Sequence, residues 1–381
     1  GRVDLMRCLQ TDRAKLFLID EVGPEDLAML QALYSRSAES VEKHMVRIQE
    51  SGSARFCERF LVGYGHKSIA DCGSTTLFIE GASLLAAKAV QDWPLYSGQE
   101  TSTRYVDVAK QPIIDPGRSA ASAAILDRWM DFYRGAQAPM LASIHDRYPR
   151  RLAEKEDVYE RAVKARVFDV LRGFLPAGIT TQLSWHTNLR QAGDHLIGLV
   201  NHPAEEVRRI GAGLRQLLGE AYPSSGAGLS LASVSGIGNR DEVAATARTA
   251  WEKAVADATA YCNDTDPAAA LIELRFRSTV ELAEVEQRLA ATRPRGCVLP
   301  HALSDRGQIS YQFLLDFGSF RDLQRHRNGV VRMPLLTARH GFEEWYLREL
   351  GPHEQEGRAL VKTQRAAVDQ LPCDPVTKQY Y

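Results

Sequence analysis

A strand, a glycine, a short helix and a polar loop occur in that order at residues 75–94 and again at 309–328, and this repetition constrains the fold more than any other feature. In the first copy, the β-rich run from Thr75 to Glu80 meets Gly81. A strong helix former, Ala82 to Val90, follows and ends before Pro94. In the second copy Ile309, Tyr311, Phe313, Leu315 and Phe317 alternate as a strand, Gly318 breaks it, and a short helical stretch leads to Arg325. Two such modules in one chain predict a pseudo-two-fold pair, a pseudo-dimer within the chain. The clear linker composition, Pro223-Ser224-Ser225-Gly226 and then Gly236-Ile237-Gly238-Asn239, sets the boundaries. They are a first module at 1–223, a linker at 224–240 and a shorter, degenerate second module at 241–381.

The remaining pattern predicts an α+β fold in which each module is a sheet flanked by long helices. Lys15 to Ile19 reads as a strand, and Pro24-Glu25-Asp26 opens a long helix carrying Leu27, Leu30, Leu33, Val41 and Met45. Helices are expected from Glu154 to Leu171, Glu205 to Leu218 and Asp241 to Ala260, with a strand from Leu271 to Phe276. Lys plus Arg at 47 against Asp plus Glu at 48 leaves a net charge of −1, with no global field to gather nucleic acid or an anionic membrane. No apolar run nears the ~18 residues of a membrane span, and Gly1-Arg2-Val3-Asp4 is not a signal peptide, so a cytoplasmic chain is expected. The start without Met and the extended-looking Lys378-Gln379-Tyr380-Tyr381 suggest a trimmed sequence. Six scattered cysteines, without paired spacing or nearby His, read as buried reduced thiols rather than a metal site.

Three stretches carry chemistry. The loop Ser97-Gly98-Gln99-Glu100-Thr101-Ser102-Thr103-Arg104-Tyr105 puts Glu100, Ser102 and Arg104 on one side if extended. A hydroxyl beside a guanidinium suits a phosphate dianion, and a carboxylate accepts from a sugar hydroxyl or ring N–H; a polar strand face with one salt bridge is the plainer alternative. The rear loop Arg321-Asp322-Leu323-Gln324-Arg325-His326-Arg327-Asn328-Gly329 groups cations that grip a pyrophosphate or, more plainly, complement a helix end. Between them, Arg172 leads through Leu175-Pro176 to Asn188-Leu189-Arg190, and Gly65-His66-Lys67-Ser68-Ile69-Ala70-Asp71 lies upstream.

In order and spacing these segments, together with Phe78-Ile79-Glu80-Gly81-Ala82-Ser83, resemble the flavin-dependent thymidylate synthases over residues 60–220, and more faintly over 300–335. That family's loop R-H-R-x-x-S-x-N-x-x-S-x-R-Y is divided here. The first module has Asp92-Trp93-Pro94 in place of the cationic triplet but keeps Ser97, Glu100, Ser102, Arg104 and Tyr105. The second keeps Arg325-His326-Arg327 and lacks the rest. In the family the site lies between protomers, so a fused pair retaining one side in each half still assembles one whole site. The resemblance implies that Arg325, His326 and Arg327 are catalytic and contact both FAD and the nucleotide. It implies that His66, Ser68, Asp71, Asn188 and Arg190 complete the flavin site, and that Ser97, Glu100, Ser102, Arg104 and Arg172 hold a pyrimidine nucleotide. Asp71, Cys72 and Gln99 depart from the usual Glu, His and Asn, and Gly198-Leu199 stand near where an arginine is expected.

Uracil C5 is a poor nucleophile, and no cysteine here sits in a basic setting that would make it a covalent catalyst. The resemblance implies FAD-dependent reductive methylation with methylenetetrahydrofolate as carbon donor and NADPH as reductant, on dUMP or UMP, in a homodimer of fused pairs. The alternatives are a non-catalytic nucleotide-binding or scaffold descendant, which the loss of Arg-His-Arg from one module favours, and an enzyme acting on another acceptor in secondary metabolism.

Overall fold

The computed structural model describes residues 6–10, 14–20, 22–51, 67–223, 271–276, 287, 291, 307–326 and 335–381. In chain order the elements are β1 (Met6–Gln10), β2 (Lys15–Ile19), α1 (Pro24–Tyr34), α2 (Val41–Ser51), α3 (Lys67–Ala70), β3 (Ser74–Ser83) and α4 (Leu84–Gln91). Then come α5 (Ala120–Arg147), α6 (Glu156–Leu171), a 3-10 turn (Arg172–Phe174), β4 (Thr180–Asn188), α7 (Leu189–Val200) and α8 (Glu205–Ala221). The rear elements are β5 (Leu271–Phe276), β6 (Gly307–Gln312), α9 (Phe317–Leu323), α10 (Glu344–Glu349), α11 (Glu354–Gln370) and α12 (Pro375–Lys378). Long helices with small antiparallel sheets make the chain α+β, as expected. No helix among the described residues is long and apolar enough to cross a membrane. The linker at 224–240 and the helix expected at 241–260 lie outside the described residues.

β3 and β4 form the antiparallel pair that positions the site, in register from Ser74 opposite Asn188 to Ser83 opposite Thr180. Gly81 does not end the strand. It adopts φ +72° where the register shifts between Glu80 and Ala82, a bulge that only a residue without Cβ accommodates readily. The inner face carries Ile79, Leu183 and Trp185 against α4, α7 and α8. α4 is capped by the Ser83 hydroxyl, which accepts from the Ala86 N–H at 3.0 Å.

The larger core lies between α5 and α6, where Trp129, Phe132, Val167, Phe168 and Phe174 are joined by Tyr346, Leu347, Leu350 and Leu371. The rear of the chain therefore shares a core with the front. Tyr380 and Tyr381, read from sequence as an extended end, turn inward after α12. The Tyr380 hydroxyl donates to Glu206 at 2.9 Å, and the Tyr381 carbonyl accepts from the Trp129 indole at 2.9 Å.

Several local expectations change. The single long helix after Pro24 is two, α1 and α2, because serines in the joint offer the backbone other partners. Ser35 donates to the Ala32 carbonyl, Ser37 accepts from the Glu39 N–H, and Ser40 accepts from the Glu42 N–H. The rear strand stops at Gln312 and Phe317 opens α9, since the Asp316 carboxylate caps the Ser319 N–H at 2.9 Å. Gly318 thus lies within a helix, where an added Cβ would meet the Tyr346 hydroxyl at 2.9 Å. Among the described cysteines Cys8 is exposed and Cys72 and Cys373 are half-buried, so they are not the core thiols expected.

Candidate functional site

The segment after α4 runs back along β4 as a strap. Ser97 and Glu100 form isolated antiparallel bridges to His186 and Leu183, and the backbone bonds from His186 N–H to Ser97 and from Ser184 N–H to Gln99 measure 2.7 and 2.8 Å. Beyond them the chain turns at residues 103–105, carrying Ser102 and Arg104 away from the sheet. Opposite this strap stand the 3-10 turn at Arg172 and the C-terminal part of α9. Together they enclose a cavity of about 360 Å³ lined by Glu100, Ser102, Arg104 and Arg172 from the front and by Arg321, Asp322, Gln324 and Arg325 from the rear. The front hydroxyl–guanidinium segment and the rear cationic segment meet in one cleft.

Glu100 joins the two. Its Oε2 accepts from Lys88 Nζ at 2.5 Å and Gln91 Nε2 at 2.9 Å, while its Oε1 accepts from Arg321 at 2.8 Å. Arg321 also donates to the Thr103 hydroxyl at 3.2 Å. Burial acts to raise the Glu100 pKa, but Arg321 and Lys88 outweigh it and hold the carboxyl at about 2. Lys88 is drawn down to about 8, because burial and the repulsion from Arg321 exceed what the single Glu100 charge restores.

The floor is a chain of alternating charges. Arg104 donates to Asp169 at 2.8 Å; Arg172 lies 3.8 Å from Asp169 and donates to Asp322 at 3.0 Å; Asp322 also pairs with Arg325. With the Lys88–Glu100–Arg321 cluster, five cationic groups face three carboxylates, leaving two positive charges uncompensated. Arg104 Nε also lies 2.6 Å from Asp169 Oδ1, so guanidinium and carboxylate meet through two atoms each. Arg172 Nε, Arg321 Nε and Gln324 Oε1 are buried without a hydrogen bond.

Of the residues expected from sequence, Glu100, Ser102, Arg104, Arg172 and Arg325 line the cleft. Ser97 is exposed on the strap outside it, and His326 is exposed just past α9. Asp71, Asn188 and Arg190 do not line it. Asn188 caps α7 by accepting from the Gln191 N–H at 2.8 Å, and Arg190 pairs with Asp71 at 2.7 Å and lies 3.8 Å from Asp194. His66, Arg327 and the Ser68 side chain lie outside the described residues. The sequence reading missed Lys88, Gln91, Thr103, Asp169 and Gln324. Asp169 was discoverable from its position one helical turn before Arg172.

For a flavin, Arg325, paired with Asp322, and His326 are exposed at and just past the end of α9, where a guanidinium and an imidazole suit a pyrophosphate. Arg190, half-exposed on α7, retains donors beyond its two carboxylates.

The family described as thymidylate synthase complementing protein matches residues 17–224. A UPF0159 protein of Chlamydia pneumoniae is 25% identical over 331 residues, covering 76% of this chain and 62% of its own. A UPF0159 protein of Chlamydia muridarum (strain MoPn / Nigg) is 26% identical over 348 residues, again covering 76% of this chain and 62% of the relative. The chain therefore spans less than two thirds of the length of these curated relatives.

Proposed function

The chain belongs to the thymidylate synthase complementing protein family, and from that premise we propose that it methylates a uracil nucleotide reductively at C5, with dUMP the first candidate acceptor and UMP the second. The observation that carries this reading is the cleft itself, whose two uncompensated positive charges match a phosphate monoester dianion. Arg104 and Arg172 are each oriented by a carboxylate, Asp169 for the first and Asp322 for the second. Such anchoring fixes the donors before the ligand arrives, which removes part of the ordering entropy of binding. Ser102 accepts from the Arg104 N–H at 3.3 Å, so its own O–H remains to donate to a phosphate oxygen. Glu100 acts by position, holding Arg321 toward the cleft.

The duplicated-unit reading gains support from Lys88 and Arg321. Each is the fifth residue of a helix whose N-cap side chain, Ser83 or Asp316, accepts from the N–H three residues on, and the two reach Glu100 from different helices. Arg325, His326 and Arg327 would hold FAD, with His66, Ser68, Asp71, Asn188 and Arg190 as further candidates. Bound flavin would supply the hydride, NADPH would renew it and methylenetetrahydrofolate would bring the carbon. This chain's guanidinium groups would stabilise negative charge developing on the uracil carbonyls, a role suited to pre-oriented donors in a buried site. Two fused pairs are proposed to associate as a homodimer.

Incubation with 5-tritiated dUMP or UMP, folate donor and NADPH is expected to release tritium. A folded, yellow protein that releases none with either nucleotide would reject the reaction. The non-catalytic reading draws on Asp92-Trp93-Pro94, where Trp93 packs its indole on His195 in place of a cationic triplet. It requires a protein without flavin absorbance and without uptake of added flavin. Arg104→Ala is expected to weaken UMP binding by about 1.5–3 kcal/mol, the scale of a hydrogen bond to a charged group, and to leave flavin content intact. Unchanged affinity in a titration calorimeter would remove Arg104 from the site.

A further inference from the structure

A second cavity, of about 280 Å³, lies between α4 and α7, and Trp93 lines both it and the anion cleft. Its character is different. Leu85, Ile197, Leu199, Pro203 and Leu335 give it apolar walls. Two of the charged groups around it have partners outside it: Lys88 bonds Glu100 and Gln91, and Asp194 lies 3.8 Å from Arg190. With Asp92 and Asp194 in its lining, it disfavours an anion.

Among the described lining residues, His195 is the polar group set into the apolar wall. His195 is 5% exposed, its ring stacked on Trp93 at 4.8 Å and met edge-on by Trp185 at 5.3 Å. A carbonyl can only accept, so the 2.8 Å contact with the Val90 oxygen places the proton on Nε2. Burial lowers the His195 pKa to about 4, and the ring is neutral at pH 7. Nδ1 then carries a lone pair, and no described residue donates to it. An acceptor without a donor, on a ring that is otherwise buried in the wall of an apolar cavity with an indole beside it, is half of a recognition site.

We propose that this cavity binds a neutral, planar aromatic molecule of one or two rings that donates an N–H or O–H to His195 Nδ1. The volume falls near the lower end for small-molecule sites, about 300 Å³, which suits a bicyclic ring and not a dinucleotide. The site is separate from the anion cleft and takes ligands of the opposite character.

The probe is 5-fluoroindole, followed by fluorine NMR on the full chain, with its N-methyl derivative as the control lacking a donor. Saturable binding at one site is expected, with the N-methyl compound weaker by about fivefold, the worth of one hydrogen bond near 1 kcal/mol. Gly198 lines the cavity on α7 and an added Cβ there meets nothing within 4 Å, so Gly198→Leu should fill the space while keeping the helix. It should weaken 5-fluoroindole by about tenfold or more. His195→Phe should abolish the difference between the two probes. No saturable binding, equal binding of both probes to the wild type, or full affinity in a folded Gly198→Leu would overturn the proposal. Competitive displacement by UMP would also overturn it, since the ligand would then sit in the anion cleft.

Discussion

Glu100→Gln is expected to destabilise the fold by about 3 kcal/mol at pH 7. Lys88 and Arg321 are both buried, and each gives its main charged bond to this one carboxylate. An amide can turn its oxygen to only one of them, and its NH2 then faces the other, donor against donor. Removing one partner of a buried ion pair costs about 3–5 kcal/mol, and the lower figure applies because Lys88, already at about 8, can shed its proton. Adding Lys88→Met to Glu100→Gln should recover part of the loss, since a buried charge is then replaced by an apolar chain of similar length. Urea unfolding of the wild type, the two single variants and the double variant measures the coupling directly.

The same cluster sets an acid dependence. Glu100 has an ordinary value of 4.5 and is held at about 2 in the folded chain, so its contribution is complete above about 4.5 and is lost as the pH falls from there toward 2. The full contribution is on the order of 3 kcal/mol. The stability difference between wild type and Glu100→Gln should therefore narrow by more than half at about pH 3. A gap that stays constant between pH 7 and pH 3 would show that the ionised carboxylate is not what joins Lys88 to Arg321.

What was legible in the sequence follows from how locally each feature is specified. β3 with α4, and β5, were readable because a β-rich run and a helix former declare themselves within a few residues. The longest helix, α5, was not. Ile125, Leu126, Trp129, Met130, Phe132 and Tyr133 are buried around a wide arc, so no single stripe shows, and Pro139 within it argues against a helix on local grounds. The strap residues Glu100, Ser102 and Arg104 do share the cleft, but Thr101 and Thr103 line it too, because the segment leaves the sheet and turns at 103–105 instead of running on as an alternating strand. On the rear side the triplet 325–327 carries the sequence motif, while the buried side chain that reaches Glu100 is Arg321, one turn earlier. That offset comes from Asp316, whose cap starts α9 and fixes which of its residues face Glu100. A polar residue's partner 221 positions away, as Arg321 is from Glu100, is set by packing and has no local signature.

Gly98→Ala should abolish high-affinity nucleotide binding while leaving the body of the protein folded. A Cβ at this position would lie 1.9 Å from the Ser184 carbonyl oxygen and 2.5 Å from the Tyr96 hydroxyl, which itself donates to that carbonyl at 2.6 Å. The first contact is with β4 backbone, which is pinned to β3 on its other side, so the strap must move instead. Overpacking of this kind costs about 1–3 kcal/mol, and here it breaks the Ser184–Gln99 and His186–Ser97 bonds that set where Ser102 and Arg104 emerge. A displacement of ~1 Å is enough to remove aligned charge-assisted bonds, and a loss of UMP affinity of at least about tenfold is expected. Gly213→Ala provides the contrast. On α8 an added Cβ meets nothing within 4 Å, and the change should stabilise the helix by about 0.5–1 kcal/mol with UMP affinity unaltered. Calorimetric titration with UMP, beside thermal unfolding of both variants, separates the two outcomes. If Gly98→Ala bound UMP like the wild type, the strap would not be what places the anion-binding groups.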